Sequence, residues 1–232
     1  MKSGMNKTRG GAGRGLVAFT LIELLIVIAI MGILASLTFP VIQGVNRAKV
    51  NSRARAEIKN VESYIDGYKT KLGHYPPSDP NNDPAANTLF FELMGTRVQG
   101  GGYVTLDDSG SVSNSALAGL FGASIGGFIN STRGAGDDNS PSAQKFIKQL
   151  RPGSYVINTT YFPPALNPNA FLGVALDGPL MYPDANGNKI NPFRYNSANP
   201  TNNPQSYDLW IDVRVGGKTN RISNWNTEPI KL

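Results

Sequence analysis

The longest apolar run of the chain lies near its N-terminus, and its periodicity changes halfway along a single helical stretch. Residues 19–39 hold 13 Leu, Ile, Val or Phe among 21 positions and one charge, Glu23. A helix of that length spans roughly 30 Å, the thickness of a bilayer's hydrocarbon core. Summed transfer of the apolar side chains favours membrane entry despite the acid, which sits near one end. Beyond Pro40 the pattern becomes amphipathic. Ile58, Val61, Ile65, Tyr68 and Leu72 recur at spacings of three and four, while Arg53, Arg55, Glu57, Lys59, Glu62, Asp66 and Lys69 occupy the other faces. That pattern predicts a half-exposed helix over 40–75 packing on a sheet. Pro40 removes a backbone donor and predicts a kink just upstream. Gly73, followed by Tyr75-Pro76-Pro77, ends the helix. The basic cluster from Arg47 to Lys59 reads as a solvated helix face.

Further along, residues 87–94 predict a short second helix. Residues 96–140 are rich in glycine, aspartate and serine and read as a loop-rich insertion, with one weak helix in the apolar stretch 116–129. Ser140-Pro141 carries the signature of a helix start and predicts a short helix to about Leu150. The remainder reads as β. Residues 155–161 form one candidate strand, and Asn186-Gly187 is a strong hairpin signal. Leu209, Ile211, Val213 and Val215 alternate with Asp208, Trp210, Asp212 and Arg214, a half-buried strand. Gly216-Gly217 turns the chain into a last strand near 221–225. The fold class is α+β: a long N-terminal helix, its first half transmembrane, packed on a C-terminal antiparallel sheet.

Composition narrows the chemistry. The 232 residues include no cysteine and one histidine, His74. Disulfides, thiolate metal sites and multi-histidine metal sites are excluded, and a serine triad would have to use that one imidazole. His74 reads as a loop residue. The formal charge of +6 is concentrated at the start, because Lys2, Lys7, Arg9 and Arg14 precede the apolar run with no acid among them. The remainder is close to neutral, so no nucleic-acid partner is expected. A secretory signal has a shorter apolar region and a small-residue cleavage site after it, which 39–41 does not offer. A plain single-pass anchor fits the length but leaves Glu23 unexplained, since carboxylates within a membrane are costly and usually partnered.

The run Ala18-Phe19-Thr20-Leu21-Ile22-Glu23-Leu24-Leu25, followed by the apolar helix and Pro40, resembles the N-terminal signal of type IV pilins and type II secretion pseudopilins. That resemblance implies cleavage between Ala18 and Phe19 by a prepilin peptidase, N-methylation of Phe19, and a role for Glu23 in assembly. The residue before the cut is Ala18 where the family usually has glycine. In physical terms, cleavage creates an α-ammonium on Phe19, and a carboxylate four residues on can pair with it, or with a neighbour's, more strongly in low dielectric than in water. The segments Tyr68–Pro76, Gly187–Tyr195, Tyr207–Trp210 and Ile222–Trp225 are similar to those of G-type major pseudopilins. The likeness covers residues 18–80 and about 180–226 and implies a pilin-like fold.

The same resemblance implies calcium in an acidic C-terminal loop, at about Gly216 to Ile222. Here that loop reads Gly-Gly-Lys-Thr-Asn-Arg-Ile and lacks carboxylates, so the family's site is not matched. Asp184, Asn186 and Asn188 have the spacing that begins a calcium loop, but Lys189 and Tyr195 stand where glycine and an acid belong. They read better as a hairpin turn. The expected domains are a leader over 1–18, a filament-core helix over 19–39, its amphipathic continuation over 40–75, and a globular domain over 76–232. The expected role is a structural subunit of a secretion pseudopilus or pilus-like filament, with no enzymatic activity. Its implied partners are its own copies, other pseudopilins, the peptidase, an inner-membrane assembly platform and membrane lipid. The resemblance places it in the bacterial inner membrane with its C-terminal domain outside the cytoplasm, and afterwards in an envelope or surface filament. The rival readings are a membrane-tethered surface module binding glycan or DNA, with Trp210 and Trp225 as candidate contacts, and a tethered hydrolase.

Overall fold

The computed structural model describes residues 20–132, 142–158, 169–184 and 186–232. The chain divides into two compact units, Met1–Gly44 and Val45–Leu232. The first helix, α1 (Leu21–Leu72), is assigned as one element of 52 residues running through Pro40. It stops where the glycine signal predicts: Gly73 has φ +84° and donates its N–H to the Lys69 carbonyl at 2.8 Å.

Within the second unit the predicted apolar stripe is the one that is buried. Ala54, Ile58, Ile65 and Tyr68 are fully covered, Val61 nearly so, and Leu72 packs at the margin. They share a core with the short helix α2 (Leu89–Met94) and with strands β9 (Arg194–Asn196), β10 (Asp208–Val215) and β11 (Lys218–Ser223). With β12 (Ile230–Lys231), these strands form an antiparallel sheet in the order β12-β11-β10-β9. Leu209, Ile211 and Val213 of β10 point into the core, as their alternation predicts. Asp208 and Asp212, predicted on the solvated face, are buried instead, because neighbouring donors cover them.

Residues 96–132 are ordered structure, where the glycine content predicted loops. Strands β1 (Thr96–Gln99), β2 (Gly102–Thr105), β3 (Ser111–Ser113) and β4 (Ser131–Thr132) form a sheet in the order β3-β2-β1-β4, with α3 (Asn114–Phe121) following β3. The weak helix predicted in 116–129 is met in part by α3, which ends at Phe121. The glycines act as turn formers, not as flexible linkers. Gly100 and Gly101, at φ +60° and +79°, make the β1–β2 turn. The insertion is held by an aromatic cluster. Phe91 stacks on Phe128 at 4.8 Å and meets Phe121 edge-on at 5.8 Å, geometries worth about 0.5–1.5 kcal/mol a pair beyond the area they bury.

The helix predicted from Ser140 to Leu150 is not formed among the described residues 142–150, while Ser140 and Pro141 lie outside them. Long-range partners take the backbone donors that a helix would have used. Ala143 N–H donates to Thr132 Oγ1 at 2.8 Å, Gln144 N–H to Asn130 Oδ1 at 2.8 Å, and Phe146 N–H to the Leu93 carbonyl at 2.8 Å. Local capping preference is weak beside such tertiary bonds. The segment is a strap across the base of the insertion.

One buried acid ties these pieces together. Glu92 in α2 accepts the Ile129 and Asn130 N–H groups and the Tyr68 hydroxyl, each at 2.9 Å. Burial pushes its carboxyl above the usual range, against those three donors and the field of His74, which pull it down. Asn130 completes the joint, donating from its side chain to the carbonyls of Glu92 and Gln144, each at 2.6 Å.

A third sheet, β5-β6-β8-β7, comprises β5 (Tyr155–Asn158), β6 (Asn169–Val174), β7 (Tyr182–Pro183) and β8 (Lys189–Pro192). Its β7–β8 hairpin closes at Pro183↔Lys189 over the Asn186-Gly187 turn, as predicted. The fold class is therefore α+β, with an N-terminal helix and mainly antiparallel sheets.

Candidate functional site

Ala18 and Phe19 lie outside the described residues, as does the whole leader, and Pro40 is described by its backbone alone. The site is visible from Thr20 onward. Thr20 precedes the first helical residue and Glu23 sits three positions on, which is the spacing of a reciprocal cap. The bonds are those of that motif. Glu23 Oε2 accepts the Thr20 N–H at 2.9 Å and the Thr20 hydroxyl at 2.7 Å, and Thr20 Oγ1 accepts the Glu23 N–H at 3.3 Å. The negative charge also stands at the positive end of the helix dipole. Thr20 is a residue that the sequence reading missed, although a Thr-x-x-Glu spacing before an apolar run announces it.

The geometry gives Glu23 a local role that requires no cleaved amine. It also orients the carboxylate, because both bonds from Thr20 fall on Oε2. Cleavage before Phe19 would leave the Thr20 amide intact, so cap and charge pair are compatible. The helix behind the cap presents an unbroken apolar surface. All side chains over 21–36 are exposed in the single chain, Leu21 by 81% and Ile22 by 66%. A continuous patch of this kind on a folded protein marks an interaction surface. Within it Ser36 satisfies its hydroxyl internally, donating to the Ile33 carbonyl at 2.7 Å. Among the described residues no helix is long and apolar enough to cross a membrane. The predicted span begins at Phe19, outside them, and its last three side chains are not described.

The candidate calcium residues form a turn. Asp184 Oδ1 accepts the N–H groups of Asn186 at 2.9 Å and Asn188 at 2.8 Å, and its Oδ2 accepts the Asn188 side-chain amide at 3.0 Å. The Asn188 bonds, with those from the turn backbone, hold the Asp184 carboxyl below its ordinary value. The carboxylate is thus occupied in shaping the hairpin.

The loop near Gly216 to Ile222 does not fit a divalent cation either. Gly216 and Gly217 form its turn at φ +59° and +76°, with Val215 paired to Lys218, and no acid is present there. The nearest carboxylate across the strands, Asp212, is gripped by Arg221 through Nε at 2.8 Å and Nη2 at 3.0 Å. Among the described residues no group of three or more His, Cys, Asp or Glu side chains is gathered to hold a metal. Trp210 and Trp225 meet edge-on at 5.7 Å, with the Arg221 guanidinium 5.3 Å from the Trp210 ring centroid. That is packing on the sheet's outer face. Asp107, in the stretch read as loop, is ion-paired to Lys145 at 2.8 Å, and Asp108 pairs with Arg97. His74 is the loop residue expected of it, with Nδ1 3.1 Å from the Tyr75 carbonyl.

The helix start matches a known family model. Residues 18–39 match the family described as the prokaryotic N-terminal methylation motif. The chain is 33% identical over 86 residues to the type II secretion system core protein G of Aeromonas hydrophila, covering 37% of this chain and 60% of that protein. It is 36% identical over 70 residues to the protein of the same name from Pectobacterium carotovorum, covering 30% of this chain and 45% of that one. Against the Escherichia coli K12 protein of that name, identity is 38% over 61 residues, 26% of this chain and 42% of the relative. The chain thus spans between about two fifths and three fifths of these relatives' length. No solved structure matches it.

Proposed function

We propose that this chain is a structural subunit of a type II secretion pseudopilus or a related filament. In this reading it is made with a leader, cut between Ala18 and Phe19 by a prepilin peptidase and N-methylated on Phe19. It is held by residues 19–39 as a single span of the bacterial inner membrane, with the C-terminal domain outside the cytoplasm, and then extracted by an assembly platform. Its partners are further copies of itself and other pseudopilins, with lipid around the helix beforehand. It catalyses no reaction. The observation that carries the reading is the match over residues 18–39 to the methylation motif, with the Thr20–Glu23 cap at its head. The similarity to core protein G supports secretion over other filament roles. The tethered binding module is not favoured, because Trp210 and Trp225 are packed against each other and Arg221.

The geometry sharpens the test. Glu23→Ala removes both the charge and the cap, whereas Glu23→Gln removes the charge and keeps an acceptor at the capping position. If the pair with the Phe19 ammonium drives assembly, both variants insert into membranes and neither forms filaments. Filaments of normal yield from Glu23→Gln would assign Glu23 to helix capping alone. Mass spectrometry of the N-terminus checks the processing, with a chain beginning at methylated Phe19 as the expected result. An intact leader on protein that never polymerises would overturn the proposal.

A further inference from the structure

The buried acids of the C-terminal sheet are Asp208 and Asp212 on β10, 2% and 4% exposed. Both carry protein donors on each carboxylate oxygen. Asp208 Oδ2 accepts the N–H groups of Thr201 at 2.9 Å and Asn202 at 3.0 Å, the Asn202 side-chain amide at 3.0 Å and the Thr201 hydroxyl at 3.4 Å. Its Oδ1 accepts the Asn203 N–H at 2.9 Å. Four of these five donors crowd Oδ2, and one backbone N–H holds Oδ1. Asn224 is equally engaged. Its Oδ1 takes the Leu209 N–H at 3.0 Å and the Asn203 side chain at 3.2 Å, and its amide donates to the Tyr207 carbonyl at 3.0 Å. On the outer face, Asp212 faces two guanidinium groups: Arg221 in fork geometry, and Arg194 with Nε at 3.9 Å.

The polar atoms left over on this face confirm the sense of the imbalance. Trp210 Nε1 and Arg194 Nη1 are buried without an acceptor, and Arg194 and Trp210 are direct cross-strand neighbours. Ser223 Oγ, opposite Trp210 on the other side, is also unpartnered, and a single amide oxygen, Asn191 Oδ1, lacks a donor. A calcium ion needs six to eight oxygens, commonly including carboxylates. The carboxylates here are already bonded by protein donors, and the unpartnered oxygens, Asn191 Oδ1 and Ser223 Oγ, are neutral.

We infer that the C-terminal sheet closes without a divalent cation, with the Arg221 guanidinium supplying the positive charge to Asp212 and the 201–203 loop wrapping Asp208 with its own N–H groups. A metal would have to expel the half-buried Arg221 guanidinium from its bidentate partner, or strip the buried Asp208 of its backbone donors. Either breaks charge-assisted hydrogen bonds already made within the fold. The inference concerns folding and not polymerisation, so it stands or falls separately from the filament proposal.

The test is thermal unfolding of the full chain in detergent micelles, in calcium chloride and in EDTA. The wild-type midpoint is expected to be the same in both, and isothermal titration of calcium chloride to show no saturable site. A calcium-dependent rise in the midpoint, or stoichiometric calcium binding, would overturn the inference. The role of Arg221 is read from a double-mutant cycle. Arg221→Gln leaves Asp212 a buried charge without its fork and should lower the midpoint by on the order of 10 °C. The double variant Arg221→Gln, Asp212→Asn should be no worse than that single one. Additive losses, or rescue of Arg221→Gln by calcium, would remove Arg221 from this role. If Arg221→Gln does not fold, Arg221→Lys replaces it in the cycle, and rescue by calcium again counts against the inference.

Discussion

Asp107 and Glu92 are both carboxylates of the second unit, yet their surroundings give them opposite dependences on pH. Burial raises the Asp107 carboxyl, but hydrogen bonds from Lys145, Ser109 and Thr105 outweigh it and bring it down to about 2. A depressed folded-state pKa means that its contribution is present above the ordinary carboxylate value and is lost as pH falls from about 4 through 2. Glu92 works the other way. Its carboxyl is raised, so ionisation costs stability above its folded-state pKa, and acid relieves that cost. Urea unfolding between pH 2 and 7 separates them. Asp107→Asn should flatten the loss of stability below pH 4, without changing the opposite slope that Glu92 contributes above the ordinary carboxylate range. An unchanged acid limb in that variant would mean that the Lys145 bond contributes nothing. At this scale the sequence was only partly readable. Asp107 beside Asp108 looks like loop charge, because its partner Lys145 is 38 positions away. Glu92 looks like one acid in an apolar hexamer, and nothing local says that three donors from two distant segments converge on it.

At the scale of elements, legibility followed the range of the interactions. The amphipathic half of α1, the Gly73 stop, α2, the Asn186-Gly187 hairpin and β10 are set by periodicity or by turn chemistry within a few residues. They are found where the pattern places them. The insertion sheet and the 142–147 strap depend on partners many residues distant, so their glycines and their Ser-Pro dipeptide mislead a local reading. Asn130 is the test of that explanation. Its side chain bonds the Glu92 and Gln144 carbonyls and the Gln144 N–H. Asn130→Ala leaves these groups unpaired, and should cost about 2–4 kcal/mol in urea unfolding. Amide exchange should accelerate at Gln144 and Phe146 while the β10–β11 pairing keeps its protection. Uniform acceleration through both regions would show that the strap has no local stability of its own.

For the molecule as a whole, charge and apolarity are separated along the chain. Residues 21–36 present apolar side chains on every side with Glu23 as their one charge, whereas the second unit buries most of its large apolar side chains and places most charges outside, Glu92, Asp208 and Asp212 being buried acids. An exposed apolar surface of that extent marks an interaction surface. The candidate site was correspondingly the most readable part of the sequence, since an acid in an apolar run is an anomaly at any range. What composition did not disclose was the reciprocal bond with Thr20, which depends on where the helix begins. The β1–β2 turn bears on the whole molecule in another way. Gly100 and Gly101 have no neighbouring atom within 4 Å of where a side chain would start, and the sheet behind them is secured by the Glu92 joint. A short peptide tag spliced between these two glycines should leave the unfolding midpoint within about 2 °C of the parent. Should the chain polymerise as proposed, that turn becomes a place from which an epitope or fluorophore can be displayed, making individual protomers countable under a microscope.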